Sequence, residues 1–295
     1  MTADRTPPPN PDAVGRALLQ GYAERWRTQP DGDAFATASS ILQPVLWTPA
    51  AGAPRKAMLK LARPGAAGDE ERAGFALQQW WGGNGAAMVF ERGDDAVLLE
   101  RALGRRSLAA MASRSSAADD DHALRLLCQS VARLHEPRPA PPALVSLERW
   151  FAELFEHADA GGAGYLRGAD LAAELLDEPG DIVVLHGDVH HGNVLDFGGR
   201  GWLAIDPKGL SGTPAFDYAN MLCNPSPERA AHPEVLARRA ATVALASGIA
   251  AGTLLRWTVA WTALSATWHR LGDDAAAAAR KLAIGDTATR LLLDA

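Results

Sequence analysis

The stretch VVLHGDVHHGNVLDFGGRGWLAIDPKG, Val183 to Gly209, carries three histidines, three aspartates and an asparagine between two apolar runs. DIVVLH reads as a strand that ends in a tight polar loop, His186 to Asn193. VLDF and WLAID flank GGRG, the pattern of a β-hairpin with a glycine turn. A hairpin returns the chain to its starting point, so Asp206 at the exit is expected beside Asn193 at the start. An aspartate next to an asparagine offers oxygen ligands suited to a hard ion such as Mg2+. Asp188 lies in the same loop, able to face whatever the metal holds, to orient a hydroxyl and to accept its proton.

This is the arrangement that phosphoryl transfer uses: a catalytic aspartate, an asparagine beyond it, and a second aspartate after a hairpin. H-x-D-x-x-x-x-N is His186, Asp188 and Asn193, and Asp206-Pro-Lys-Gly replaces the Asp-Phe-Gly of protein kinases. Such chemistry also needs a strand lysine upstream to touch the α and β phosphates, held by a helix glutamate. Lys60 is the best candidate because it interrupts the apolar strand AMLKLA, whereas Lys56 sits at a turn. Glu71 on the following helix is the expected partner, with Glu70 a rival that spacing alone leaves open.

The rest of the chain fits around this centre. Ala13 to Arg27 has helical periodicity. FATASSILQPVLWT and RKAMLKLAR read as strands, Asp69 to Trp81 as a helix, and AAMVFER and AVLLERA as two more strands around Gly93-Asp94-Asp95. Helices follow at Leu124 to His135, Leu147 to Ala158 and Ala169 to Leu176, and the chain beyond residue 230 is helical almost throughout. The expected fold is α+β and bilobal, kinase-like: a small antiparallel sheet with one helix over 1–101, then a larger, mainly helical lobe over 102–295. Residues 1–12, rich in proline, read as a disordered leader.

HGDVHHGNVL, IDPKGL and FDYANMLCNP together resemble the aminoglycoside phosphotransferase superfamily. The doubled histidine, the Asp-Pro-x-Gly form and the Asp217, Asn224, Pro225 ending are similar to its streptomycin 6-phosphotransferase and hydroxyurea phosphotransferase branch. The resemblance covers roughly Phe35 to Arg290. It implies an ATP- and Mg2+-dependent kinase of a small-molecule hydroxyl, the streptomycin 6-hydroxyl first, with antibiotic resistance as the outcome. Hydroxyurea, an endogenous metabolite, or an inert nucleotide-binding relative are the alternatives. By the same resemblance Asp188 is the catalytic base, His186 braces the loop, Asn193 and Asp206 hold the metal, and Asp217 supports the loop from beneath. Backbone groups near Glu100, Arg101 and Ala102 would bind adenine. No glycine motif precedes Lys60; Ala38-Ser39-Ser40 stands in its place, so Ser39 and Ser40 are the candidates for triphosphate contact.

Composition narrows the alternatives. A net charge of −6 argues against a general nucleic-acid binder and leaves room for a cationic acceptor. No apolar run approaches membrane-spanning length, and two cysteines, Cys128 and Cys223, fit a reducing cytoplasm without a disulfide framework. Nothing implies an obligate protein partner. Adjacent His190 and His191 point apart and lack companions at zinc spacing, so they read as packing or substrate contacts. Asp119 to Asp121 reads as a solvated helix start. Trp257, Trp261 and Trp268 share one helix face with Leu264, either as core or as a wall of the acceptor pocket.

Overall fold

Side-chain alternation along RKAMLKLA organises the first part of the molecule. The computed structural model describes residues 11–114 and 116–294; most of the proline-rich leader, Met1 to Asn10, lies outside them. Helix α1 (Ala13–Arg25) begins at Asp12, whose carboxylate accepts the Gly15 N–H at 2.7 Å. The strands are β1 (Thr28–Pro30), β2 (Phe35–Ala36), β3 (Ser40–Trp47), β4 (Arg55–Ala62), β5 (Val89–Arg92) and β6 (Ala96–Glu100). They form one antiparallel sheet in the order β1-β3-β4-β6-β5, with β2 also paired to β3. On β4, Ala57, Leu59 and Leu61 pack with Leu19 of α1 on one face. Met58 and Ala62 turn to the other face, against Phe75 of α2 (Ala66–Trp81). The period of two therefore delivers Lys60 to the α2 side, its ammonium 5.8 Å from the Phe75 ring centre.

Beyond residue 101 the chain is mainly helical. Helices α3 (Leu108–Ala112) and α4 (Ala117–Leu134) lead through β7 (Val145–Ser146) to α5 (Leu147–Trp150), α6 (Ala152–Gly161) and α7 (Ala163–Asp177). Four short strands follow, β8 (Val183–Leu185), β9 (Val194–Asp196), β10 (Trp202–Ala204) and β11 (Leu210–Gly212). The chain closes with α8 (Ala219–Leu222), α9 (Pro227–Ala230), α10 (Pro233–Ser247), α11 (Ala251–Leu271) and α12 (Ala275–Leu293). Helix α11 is the hub, packed on α6, α7 and α12, and its Trp257 meets Phe151 and Phe216 in the core. β9 and β10 form the expected hairpin, Trp202 opposite Asp196 and Ala204 opposite Val194. β8 and β11 pair antiparallel, holding both ends of the polar stretch in one small sheet. Backbone bonds from Ala87 to Ala204 and from Ala204 to Gly85, each 2.9 Å, tie β10 to the loop before β5.

The fold is α+β, with the antiparallel sheet first and the helices after it, as read from the sequence. Several local expectations change. The stretch from Phe35 is two strands, because Thr37 and Ser40 close a tight turn: Thr37 N–H donates to the Ser40 carbonyl at 2.8 Å, and Thr37 Oγ1 accepts the Ser40 N–H at 3.0 Å. Helix α4 starts seven residues before Leu124, capped by Ser116. The acidic start of α4 is not simply solvated. Asp120 is buried against Arg239, Nε to Oδ2 2.9 Å, with Arg238 on the same oxygen. Burial pushes the Asp120 carboxyl up, but the two guanidinium groups outweigh it and hold it below its ordinary value.

Among the described residues no single helix is long and apolar enough to cross a membrane. The bent pair α10–α11 is apolar because it lines the core, with Leu236, Val243, Trp257 and Leu264 all buried. Cys128 and Cys223 are both free and buried, and burial pushes the Cys128 thiol up to about 12.

Candidate active site

Lys60 is 2% exposed, a position a lone ammonium occupies only when paired. Its Nζ reaches Glu71 Oε2 on α2 and lies 2.8 Å from Asp206 Oδ1. Ser39 Oγ donates to the other Glu71 oxygen at 2.6 Å. Glu71 and Phe75, four residues apart, share the inner face of α2, whereas Glu70 points away and pairs with Lys208 at 3.3 Å. The helix comes this close because of Gly74, where a Cβ would sit 2.1 Å from the Pro207 carbonyl oxygen. Asp206 itself holds φ +61°, a left-handed conformation unusual for a side-chain-bearing residue and commoner for Asp than for most.

The loop between β8 and β9 is built on Asp217. This carboxylate is buried and accepts the N–H groups of His186 at 2.9 Å and Gly187 at 2.7 Å, while His135 Nε2 lies 2.8 Å away. Burial pushes the Asp217 carboxyl up, but the His135 ring and these donors outweigh it and hold it below its ordinary 3.8. His186 Nε2 sits 2.9 Å from the Ile205 carbonyl, which can only accept, and Nδ1 receives the Asp188 N–H at 3.2 Å. The ring is therefore neutral with its proton on Nε2, in keeping with burial, which lowers its pKa. His186 is a brace between the loop and the hairpin.

Both oxygens of Asp188 are held. Oδ2 accepts from Asn193 Nδ2 at 3.1 Å and Oδ1 from Asn220 Nδ2 at 2.8 Å. Asn193 Nδ2 also donates to the Asp188 carbonyl at 3.0 Å, which turns its amide oxygen away from the loop. The Ile205 N–H donates to the Asn193 carbonyl at 2.9 Å, so Asp206 follows directly on the residue paired with Asn193. Asp206 Oδ2 makes no hydrogen bond among the described residues. One neutral and one anionic oxygen in this position suit Mg2+, completed by phosphate oxygens. The described residues contain no group of three or more His, Cys, Asp and Glu side chains that would hold a metal alone. His190 lies 3.8 Å from Asp188 Oδ2, and the buried His191 ring makes no hydrogen bond among the described residues.

Two separate cavities are lined by residues of this centre. One, of about 320 Å³ and mostly apolar, is lined by Phe35, Leu42, Lys60, Ala102, Ile205 and Asp206 among others. Glu100 and Arg101 border it, but Ser39 and Ser40 do not. Ser40 is buried and Ser39 is engaged with Glu71, so Thr37 is the hydroxyl that lines the cavity. The other cavity, about 430 Å³, has Asp188, Asn220 and His190 at its base and Trp150, Trp261 and Trp268 on its walls. The tryptophan face thus divides: Trp257 is core, while Trp261 and Trp268 reach the cavity. Besides Asp188, the acids there are Glu153 and Glu70. Asp119 to Asp121, Glu228, Asp273 and Asp274 stand elsewhere. Asn220, Glu153 and His135 were not singled out in the sequence, because nothing local sets them apart from ordinary helix residues.

The fold and this centre define a phosphotransferase of the protein-kinase-like class. Residues 25–272 match the family described as aminoglycoside/hydroxyurea antibiotic resistance kinase, and the chain belongs to that family. It is an enzyme that phosphorylates an alcohol group. It is 45% identical over 278 residues to a streptomycin 3''-kinase of Klebsiella pneumoniae, covering 91% of this chain and 99% of that one. A streptomycin 6-kinase of Streptomyces griseus is 36% identical over 212 residues, 68% of this chain and 64% of that one. In fold the chain is similar to an aminoglycoside phosphotransferase solved in ternary complex with AMP-PNP and hygromycin B, with TM-score 0.57 and 15% identity over 94% of this chain and 99% of that chain.

Proposed function

We infer that the chain transfers the γ-phosphoryl group of ATP to a hydroxyl of streptomycin. The observation that carries this reading is that Lys60 and Asp206 line one cavity and Asp188 the other, while Asn193 bonds both to Asp188 and to the backbone just before Asp206. The division falls near Arg101. Residues 1–101 contribute most of the nucleotide site, the backbone of Glu100 to Ala102 facing adenine, and 102–295 contribute the catalytic loop and most of the acceptor site.

Lys60, oriented by Glu71, binds the α and β phosphates. Asn193 and Asp206 would hold Mg2+, which would supply charge neutralisation at the phosphates. Asp188 orients the acceptor hydroxyl and takes its proton, and Asp217 and His186 hold the loop in place. A cavity of this size, with tryptophan walls and the Glu153 carboxylate, which pairs with no cation among the described residues, suits a large guanidinium-bearing acceptor better than hydroxyurea, a molecule of a few atoms. The near full-length match to a streptomycin 3''-kinase supports the 3''-hydroxyl over the 6-hydroxyl suggested by the motifs. Free thiols and the need for ATP fit a cytoplasmic site of action.

The test is ADP release from Mg-ATP with streptomycin, other aminoglycosides, hydroxyurea, sugars and amino alcohols, followed by NMR location of the phosphate. Streptomycin-dependent turnover with the phosphate at 3'' is expected. Turnover with hydroxyurea or a metabolite alone would overturn the acceptor assignment, and ATP binding without any turnover would favour an inert relative.

A further inference from the structure

Asn220 is not part of the motif that places Asp188, yet it makes the shortest hydrogen bond to that carboxylate, 2.8 Å to Oδ1. The orientation of an amide is fixed by its other partners. Here the Asn220 Oδ1 atom accepts from Trp261 Nε1 at 3.0 Å and from Asn224 Nδ2 at 2.8 Å. An indole N–H donates and never accepts, so the oxygen must face Trp261 and the NH2 must face Asp188. Asn224 is fixed in turn, since its Nδ2 also donates to the Asn220 carbonyl at 2.9 Å. Asn220 is 7% exposed and Trp261 6%, so water competes little for these bonds. Asn193 holds the opposite oxygen at 3.1 Å. With one amide donor on each oxygen the carboxylate plane cannot swing, and the lone pairs left over face the cavity.

We propose that Asn220 and Trp261 are positioning residues for the reaction: the Trp261 indole sets the Asn220 amide, which sets the catalytic plane of Asp188 from the side opposite Asn193. The sequence separation is 41 residues between Trp261 and Asn220 and 32 between Asn220 and Asp188, so three distant segments converge on one carboxylate. The proposal rests on Asp188 acting as the base. It also gives Trp261 a role beyond walling the acceptor cavity: replacing it by Phe keeps an aromatic ring there and removes the N–H that donates to Asn220.

The experiment is a double-mutant cycle on kcat with saturating Mg-ATP and streptomycin, using Asn220→Ala, Trp261→Phe and the pair, with Asp188→Ala alongside. Asn220→Ala is expected to lower kcat by about 10- to 100-fold with a smaller change in the KM for streptomycin, since a misaligned reacting group can cost on that order. Trp261→Phe is expected to lower kcat by about 3- to 10-fold alone and to add nothing in the Asn220→Ala background, the signature of one residue acting through another. Additive losses, or losses confined to the acceptor KM, would overturn the relay and leave both as acceptor contacts. If Asn220→Ala fails to fold, the isosteric Asn220→Asp keeps an acceptor for Trp261 and Asn224 and turns the donor to Asp188 into a repelling carboxylate oxygen; unchanged kcat there would also overturn it. An active Asp188→Ala would instead remove the base assignment, a separate failure.

Discussion

Lys60 Nζ lies 2.8 Å from Asp206 Oδ1, joining a strand of the first sheet to the exit of a hairpin 146 residues later. The same ammonium is held by Glu71, so strand β4, helix α2 and the hairpin share one charge cluster, buried at Lys60 and Glu71 and half-buried at Asp206. Removing one member of a buried pair leaves the others uncompensated, at a cost of about 3–5 kcal/mol. Lys60→Ala should therefore lower kcat/KM for ATP by about 100-fold or more and lower the unfolding midpoint. Glu71→Ala should do the same more weakly, whereas Glu70→Ala, which breaks only a half-exposed pair with Lys208, should change ATP kinetics little. Steady-state kinetics on the three variants separate the two glutamates.

Gly74 sets the distance between α2 and the Asp206 loop. Gly74→Ala would drive its Cβ against the Pro207 carbonyl, a rigid backbone atom at 2.1 Å, so the helix must retreat and take Glu71 with it. A loss of about 1–3 kcal/mol in urea unfolding, with a raised KM for ATP, is expected. Unchanged stability would mean that the helix is free to shift.

Asp217 makes an acid-sensitive contribution to stability. Its folded pKa lies below the ordinary 3.8, so the unfolded chain takes up its proton first as pH falls. The contribution is complete well above 3.8 and is lost as pH falls below that value toward the lowered folded one, with a slope of at most about 1.4 kcal/mol per pH unit for one proton. Asp217→Asn should be less stable at neutral pH and show a shallower fall between pH 5 and 3 on that same one-proton scale. Parallel curves for the two proteins would contradict the assignment.

Glu153 stands exposed at the edge of the acceptor cavity. If it meets a guanidinium, Glu153→Gln should raise the KM for streptomycin about 3- to 10-fold, the modest worth of a solvent-screened charge contact, and leave the KM for ATP unchanged. An equal effect on both substrates would argue against an acceptor contact.

Much of this arrangement was legible because it is local. The polar stretch from His186 to Gly209 displays its hairpin through its own glycines and alternation. Lys60 stands out as the charge in an apolar strand, and the period of two then decides which face it takes. What escaped were the residues recruited over long separations. Asn220 looks like an ordinary helix residue until the chain brings it to Asp188, the bond from Trp261 to Asn220 is invisible in a tryptophan readable only as core or pocket wall, and Asp120 looks like a solvated helix start until Arg239 arrives from α10. The choice between Glu70 and Glu71 needed the helix phase fixed to within a single residue, which only the contact at Gly74 supplies. Ser40 was expected at the phosphates, but the turn closed by Thr37 buries it.

The central claim is that Asp188 does the chemistry while the Lys60–Glu71–Asp206 cluster binds nucleotide. The direct measurement is ADP release from Mg-ATP and streptomycin by the wild type and by Asp188→Ala, alongside the affinity of each for a fluorescent ATP analogue. The account predicts a fall in kcat of at least about 100-fold with nucleotide affinity within about threefold of wild type, the usual worth of a positioned base that does not touch the nucleotide. Near-normal turnover in the variant, or loss of turnover only in step with loss of nucleotide binding, would contradict it.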